Sequence, residues 1–226
     1  MTRLFRPLLA NAGFGRRVIA CLGAGIGIAL TMAVCAQFPG LGSDLPIIVA
    51  PLGASAVLVF AVPASPLAQP WPVIGGNILS TLVGVAVFQA VPNPTIAAGV
   101  AVGVAILVMS LCRCLHPPGG AAALTAVIGG AGIHDAGYAF AFAPVGINSV
   151  ALVSIGILYH RMTALSYPHR PATPAAVQAA VEPGGVRPED IDAALAETPD
   201  AFDIARDDLA LLLERAEHFA TVRRKG

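Results

Sequence analysis

Six long apolar stretches dominate the hydrophobic pattern of the chain. They cover residues 18–37, 47–62, 72–91, 96–112, 118–133 and 138–160. The first, third, fourth and sixth approach the roughly 20 residues that a helix needs to cross a membrane. The second and fifth are shorter and begin at or beside prolines. The pattern predicts an all-α, polytopic bundle of transmembrane helices in which two helices are short and broken.

The two short stretches begin with similar blocks that lie 67 residues apart. The blocks are Pro51-Leu52-Gly53-Ala54-Ser55-Ala56 and Pro118-Gly119-Gly120-Ala121-Ala122-Ala123. A long stretch with a GxxxG pair precedes each block, Gly23/Gly27 in the first case and Gly99/Gly103 in the second. A long stretch with a proline and then an asparagine follows each block, which places Asn77 and Asn148 in equivalent positions. This shared order predicts two repeats of three segments each.

The charge distribution supports a membrane location. Charged residues make up 12% of the chain, about half of the roughly 25% typical of soluble domains. Between Val18 and Tyr159 the charged side chains are Asp44, Arg113 and Asp135. The apolar stretches contain no paired carboxylates, no nucleophile–base set and no metal-ligand cluster, so we expect neither an enzyme nor a bound cofactor.

Arginines at both ends of the apolar region predict the topology. Positions 3, 6, 16 and 17 precede the first stretch, and positions 161 and 170 follow the last. Because positive residues collect on the cytoplasmic side, both termini are expected in the cytoplasm of a multi-pass protein of the inner cell membrane. Six crossings also place Arg113 inside and make the halves inverted repeats, a recurrent transporter architecture. Four crossings with two re-entrant segments remain the alternative.

A change in composition after the last stretch predicts three regions. Residues 1–165 form the transmembrane domain, residues 166–187 a linker rich in proline and alanine, and residues 188–226 an acidic helical tail in the cytoplasm. Leu212 and Phe219 belong to an apolar stripe on the predicted tail helix. Such a stripe needs a packed partner, which is another subunit, the cytoplasmic face of the bundle or a lipid surface, and we expect a homo-oligomer.

The stretch His116-Pro117-Pro118-Gly119-Gly120 carries the strongest chemical signal. Proline suits the first turn of a helix, and the glycines would let a ligand approach the N–H groups at the positive end of the helix dipole. These residues therefore predict an anion site, and the alternative is a tight turn with close packing.

The same reasoning applies to Pro51, Gly53, Ala54 and Ser55, with the Ser55 hydroxyl as an extra donor. Asn77 and Asn148 either line the path of the solute or join helices by hydrogen bonds. His116 either binds or gates the anion, or bonds to a carbonyl group. All of these residues are candidates for substrate binding.

These motifs resemble the HPP family of integral membrane proteins. The resemblance rests on His116-Pro117-Pro118 with its following glycines, on the Pro51 block and on Ser65-Pro66-Leu67-Ala68-Gln69-Pro70. It implies a bundle usually described with four spanning helices, and it implies nitrite as a substrate, because some members are associated with nitrite transport. Some members carry CBS domains after the membrane part, and we expect no such nucleotide-sensing module here.

The combined interpretation is a channel or gradient-driven carrier for a small inorganic anion, with nitrite favoured and the lipid bilayer as its setting. The alternatives are a structural or regulatory membrane subunit whose tail recruits a partner, or a membrane enzyme. Nothing in the sequence indicates nucleic-acid binding.

Overall fold

The computed structural model of the chain describes residues 14–38, 41, 45–163 and 166–169, with five isolated helical positions in the tail at 193, 194, 209, 213 and 216. The predicted tail helices, including Leu212 and Phe219, otherwise lie outside the described residues. The helices are α1 (Phe14–Cys35), α2 (Pro51–Ala61), α3 (Pro70–Ala90), α4 (Pro94–Leu111), α5 (Pro117–Ile128), α6 (Ala131–Ala136) and α7 (Ile147–Met162).

The prediction of an all-α membrane bundle is confirmed. Within the described residues, four helical segments are long and apolar enough to cross a membrane, namely α1, α3, α4 and the segment from Ala131 to Met162. The last contains α6, a 3-10 turn (Gly137–Ala141), a π turn (Phe142–Gly146) and α7. α2 and α5 have 11 and 12 residues, which gives each a length of about 17 Å, roughly half of the hydrocarbon thickness.

Prolines set the starts of the two short helices and of two long ones. α2, α3, α4 and α5 each carry proline in the first turn, where the missing N–H would have no helical partner. The Asn93 side chain adds a cap to α4, accepting from the backbone N–H groups of Thr95 and Ile96 at 3.0 and 3.1 Å. The prolines in the first turns and the Asn93 cap therefore explain where these four helices begin.

α5 and the residues that lead into it follow α3 from its first turn to its last. At one end, the Trp71 indole N–H donates to the Cys112 carbonyl over 3.1 Å. At the last turn of α3, the Phe88 ring stacks on His134, which lies just beyond α5, with ring centroids 3.8 Å apart. A re-entrant segment would instead return to the end where it entered, so this course agrees with a full pass through the bundle.

α2 follows α7 in the same way. The Val49 N–H, just before α2, donates to Asn148 Oδ1 in the first turn of α7 over 3.0 Å. The Val59 carbonyl, near the end of α2, lies 2.8 Å from Nε2 of His160 in the last turn of α7. α1 runs antiparallel to α7, because the Tyr159 hydroxyl donates to the Ile19 carbonyl over 2.7 Å near the start of α1.

The six segments form two half-bundles of the same design. The first half-bundle consists of α1, α2 and α7, and the second consists of α4, α5 and α3. Each contains a long helix (α7 or α3), a short parallel helix and an antiparallel neighbour. The long helix of each half-bundle comes from the other half of the chain, so that α7 joins α1 and α2, and α3 joins α4 and α5. This arrangement agrees with inverted repeats of three segments and favours six passes over four.

The two half-bundles have different cores. Large side chains such as Leu52, Phe60 and Leu152 fill the first. Alanines dominate the second, where Ala97, Ala101, Ala105 and Ala123 pack with Val127.

The two GxxxG pairs also differ. Gly23 and Gly27 pack against the Phe60 ring, whereas Gly99 and Gly103 face open space on the outside of α4.

Candidate functional site

Five fully buried polar side chains meet where the two half-bundles touch. We call this group the central polar cluster; its members are Ser55 of α2, Asn77 and Ser80 of α3, His116 before α5, and Ser149 of α7. Each is shielded from solvent, and both halves of the chain contribute. Buried polar groups in an apolar bundle are costly unless they are bonded or used, so each hydrogen bond has to be accounted for.

His116 is held by both ring nitrogens. Nδ1 lies 2.8 Å from the Leu67 carbonyl oxygen, and Nε2 lies 2.8 Å from Ser55 Oγ. A carbonyl can only accept, so Nδ1 carries the proton and the imidazole is neutral when Nε2 accepts from the Ser55 hydroxyl. The hydroxyl proton of Ser55 is thereby committed to His116.

Asn77 joins the two halves through its amide nitrogen. Nδ2 lies 3.3 Å from Ser55 Oγ and 3.2 Å from Ser149 Oγ. Ser149 donates its own proton to the Val145 carbonyl over 2.8 Å. Because both serine protons are used elsewhere, each serine can only accept from Asn77, and this orients the amide. Asn77 Oδ1 is then left buried with no partner.

Ser80 lies one turn after Asn77 on the same helix, and its Oγ is also buried without a partner. It faces the start of α5, where a Cβ added to Gly119 would lie 2.8 Å from Ser80 Oγ and 2.9 Å from the Gly76 carbonyl oxygen. Gly119 is therefore required for close contact between α5 and α3. The cluster thus contains one free acceptor, Asn77 Oδ1, and one free hydroxyl, Ser80 Oγ.

The backbone amides at the start of α5 are not open to a ligand in this structure. Pro117 and Pro118 have no N–H group, and the Gly119 N–H donates to the His116 carbonyl over 2.8 Å. The expectation that the glycines expose bare amides is therefore wrong for Gly119, whose missing side chain serves helix packing instead.

The start of α2 shows the same feature. Pro51 has no N–H, and the N–H groups of Leu52 and Gly53 donate to the carbonyls of Val49 and Ala50, each over 3.0 Å. Pro51 is buried, whereas Gly53 and Ala54 lie on the exposed face of α2, away from the cluster.

The remaining candidates lie around the start of α5. Pro117 is exposed and Pro118 is buried. Gly120 is half-buried, and a Cβ there would meet only Val102 of α4, at 3.8 Å.

Asn148 lies outside the central polar cluster. Its Oδ1 accepts from the Val49 N–H over 3.0 Å, and its Nδ2 donates to the Ile47 carbonyl over 2.9 Å and lies 3.0 Å from Cys35 Sγ. It ties the chain before α2 to α7, so its observed contacts are structural. Its neighbour Ser149 enters the cluster instead. The asparagine–serine pair in this apolar stretch predicts a polar position at the start of α7. The sequence does not show which of the two side chains faces the central polar cluster.

The cluster has no charged or metal-binding partners among the described residues. Arg113 is exposed beyond the end of α4. The described part of the chain contains no group of three or more His, Cys, Asp or Glu side chains arranged to hold a metal ion. Neutral hydrogen-bonding groups therefore supply the chemistry of the cluster.

A second feature, an apolar groove of about 580 Å³, lies between the end of α1 and the start of α7. Val34, Phe38, Phe142 and Val150 are among the residues that line it, and carbon atoms form nearly all of its surface. Its chemistry suits hydrocarbon, so it is not a site for a small polar solute.

Comparison with known proteins agrees with this architecture. The family model of the HPP transmembrane region matches residues 10–168. Two transmembrane proteins of Dictyostelium discoideum are similar: one is 37% identical over 130 residues, which cover 56% of this chain and 45% of the relative. The other is 38% identical over 109 residues, which cover 46% of this chain and 35% of the relative. The chain thus spans less than half the length of these curated relatives, and no solved structure matches it.

Proposed function

This chain belongs to the HPP family of transmembrane proteins, and we propose that it carries a small inorganic anion such as nitrite across the inner cell membrane. The path crosses the centre of the bundle at the central polar cluster. The protein acts as a channel or a gradient-driven carrier, and the resemblance to family members associated with nitrite transport supports the choice of substrate.

One observation carries this proposal: two polar atoms, Asn77 Oδ1 and Ser80 Oγ, lie buried without partners in an otherwise apolar bundle. A buried polar group without a hydrogen bond costs about 1–3 kcal/mol. A purely structural polar contact would satisfy its members, as Asn148 does. Unsatisfied groups at the contact of two repeats are what a transient solute would satisfy, and transporters of this architecture bind their solutes at the repeat interface.

The cluster is closed to solvent, so transport requires a movement that opens it. The irregular backbone between α6 and α7 adjoins the cluster, since the Val145 carbonyl in the π turn accepts from Ser149. In secondary transporters, discontinuous helices commonly form the substrate site, and access alternates as one repeat rocks or gates against the other. We assign the opening movement to this segment.

The flux experiment uses purified full-length protein in liposomes, with protein-free liposomes as the reference. We expect nitrite to enter protein-containing vesicles faster than the reference vesicles. Entry at the reference rate for nitrite, nitrate, formate and chloride would refute transport and favour the structural or regulatory role.

Topology is tested by cysteine labelling after Cys112 and Cys114 have been replaced. Asn93 and Arg113 flank α4 and are both exposed. With six crossings and both termini in the cytoplasm, Asn93→Cys should react with an impermeant reagent added outside intact cells, and Arg113→Cys should react only after permeabilisation. The reverse pattern would favour four crossings.

A further inference from the structure

We infer that the solute passes the central polar cluster as the neutral, protonated acid (nitrous acid in the case of nitrite) and not as the bare anion. This inference rests on the proposed function and names the chemical form in which that substrate crosses. It follows from the charge of the cluster, from its free hydrogen-bonding atoms and from the state of the nearby amides.

The cluster offers an anion no opposite charge. The elements packed around Asn77 and Ser80 are α2, α4, α5, the 3-10 turn, the π turn and the first turns of α7, and none of them contains Lys, Arg, Asp or Glu. The titratable side chains near the cluster are His116 and Cys114, both on the stretch that leads into α5. His116 has both ring nitrogens bonded, with a backbone carbonyl fixing the proton on Nδ1.

The free atoms call for a solute that donates as well as accepts. Asn77 Oδ1 is an acceptor whose partner must bring a proton, and a bare anion has none to give. Ser80 Oγ–H can donate to a solute oxygen. A protonated oxyacid matches both, since its O–H donates to Asn77 Oδ1 while another oxygen accepts from Ser80. A bare anion would place its charge beside the amide oxygen and lose this bond.

Backbone N–H groups do not compensate for the missing positive charge. The first amides of α2 and α5 are either absent, at the prolines, or bonded to the preceding carbonyls. What remains at these helix starts is the dipole, and its contribution is small against the cost of taking an unpaired ion out of water.

The step balances as an electroneutral transfer. A nitrite ion takes one proton from water on the entry side and crosses as nitrous acid. On the exit side the acid returns that proton to water. One anion and one proton therefore move together, no net charge crosses, and no protein group has to change its protonation state.

The test measures the initial entry of nitrite and of nitrate into liposomes that contain a trapped pH indicator, with protein-free liposomes subtracted. Nitrous acid is a weak acid, so at fixed nitrite the protonated fraction falls about tenfold for each unit rise in pH above its pKa. We expect the protein-dependent nitrite rate to follow that fall, the lumen to acidify, and a potassium diffusion potential to leave the rate unchanged. Nitrate, whose acid is strong, should not enter above the reference.

Two variants tie the result to the cluster. Ser80→Ala removes a hydroxyl that has no protein partner, so it should preserve the fold and lower the protein-dependent nitrite rate about two- to tenfold, as expected for one lost hydrogen bond. Asn77→Leu should lower it further. Ser110→Ala on the exposed face of α4 is the matched control and should retain the wild-type rate.

The outcomes separate the two proposals. Protein-dependent flux of both nitrite and nitrate that responds to the potential and not to pH would overturn the protonated form and leave anion transport standing. A wild-type rate in the Ser80→Ala variant would also overturn it, because that variant should keep the fold and lack only the hydroxyl that the solute is expected to bind. Absence of flux for every probe would refute the proposed function itself.

Discussion

The two half-bundles share one design, yet they use equivalent asparagines differently. Asn148 in the first half-bundle satisfies both its oxygen and its nitrogen, and it ties the chain before α2 to α7. Asn77 in the second joins two serines through its nitrogen and leaves its oxygen without a partner. The repeat therefore carries one asparagine whose side chain is fully hydrogen-bonded and one whose oxygen has no protein partner. Equivalent positions in a repeat need not have equivalent roles.

The contact between the long and the short helix also differs between the two half-bundles. A Cβ on Gly84 of α3 would overlap the Ala123 carbonyl of α5, whereas a Cβ on Gly156 of α7 would meet side chains, Val59 of α2 at 2.6 Å and the Tyr167 ring at 3.5 Å. Backbone touches backbone in the second half-bundle, and side chains intervene in the first. The alanine core of the second half-bundle agrees with this closer approach.

The largest effect is expected from Asn148→Leu. The substitution leaves the buried Val49 N–H and Ile47 carbonyl without partners, so we expect a loss of about 2–4 kcal/mol in the free energy of unfolding. Thermal unfolding in detergent measures it. Asn77→Leu is the matched variant and should cost less, because Ser55 and Ser149 each keep the bond that they donate. Equal losses would show that both asparagines are structural.

The second comparison uses the two glycines. Gly84→Ala forces two backbones apart and should destabilise the protein by about 2–3 kcal/mol, at the upper end of overpacking in cores. Gly156→Ala needs only a rotation of Val59 and should cost about 1 kcal/mol or less. Melting temperatures in the same detergent rank the two variants. A larger drop for Gly156→Ala would contradict the closer approach of α3 and α5.

His116 corresponds to Val49 in the repeat, so His116→Val gives the second half the residue of the first. The Leu67 carbonyl loses its partner, and we expect about 1–2 kcal/mol of destabilisation together with a clear loss of nitrite flux. Flux and melting temperature are measured on the same preparation. Retention of wild-type flux would place the path away from His116.

The smallest effect on folding is expected at the exposed GxxxG pair. Gly99→Ile and Gly103→Ile add side chains into open space, so the melting temperature of the protomer should change little. If α4 forms the expected homo-oligomer through this pair, as small-residue motifs often do in membranes, the mass in mild detergent should fall. Gly53→Ile, at another open glycine, is the control. An unchanged mass in the double variant would exclude this face of α4 as the interface.

Much of the fold could be read along the chain. The prolines at or beside the starts of the two short stretches mark the helix starts at Pro51 and Pro117, because a residue without an N–H group suits a first turn wherever it occurs. The offset of 67 residues between the two Pro-Gly blocks similarly anticipated α2 and α5 as equivalent helices. Asn77, Ser55 and His116 are also recognisable from the sequence, since polar residues in apolar stretches stand out by composition alone.

The direction in which each side chain points could not be predicted from the sequence. In water, a helix shows its buried face by an apolar stripe, but a helix in lipid is apolar on all sides, so the pattern of α4 does not reveal that Ala101 faces inward and Gly103 outward. For the same reason the sequence could not separate Ser149 from Asn148. Local chemistry determined where the helices start, that they lie in a membrane and that they repeat. Tertiary contacts decided which polar atoms are satisfied, because hydrogen-bond partners such as Ser55 and His116, 61 residues apart, or Cys35 and Asn148, 113 residues apart, meet only when the bundle closes.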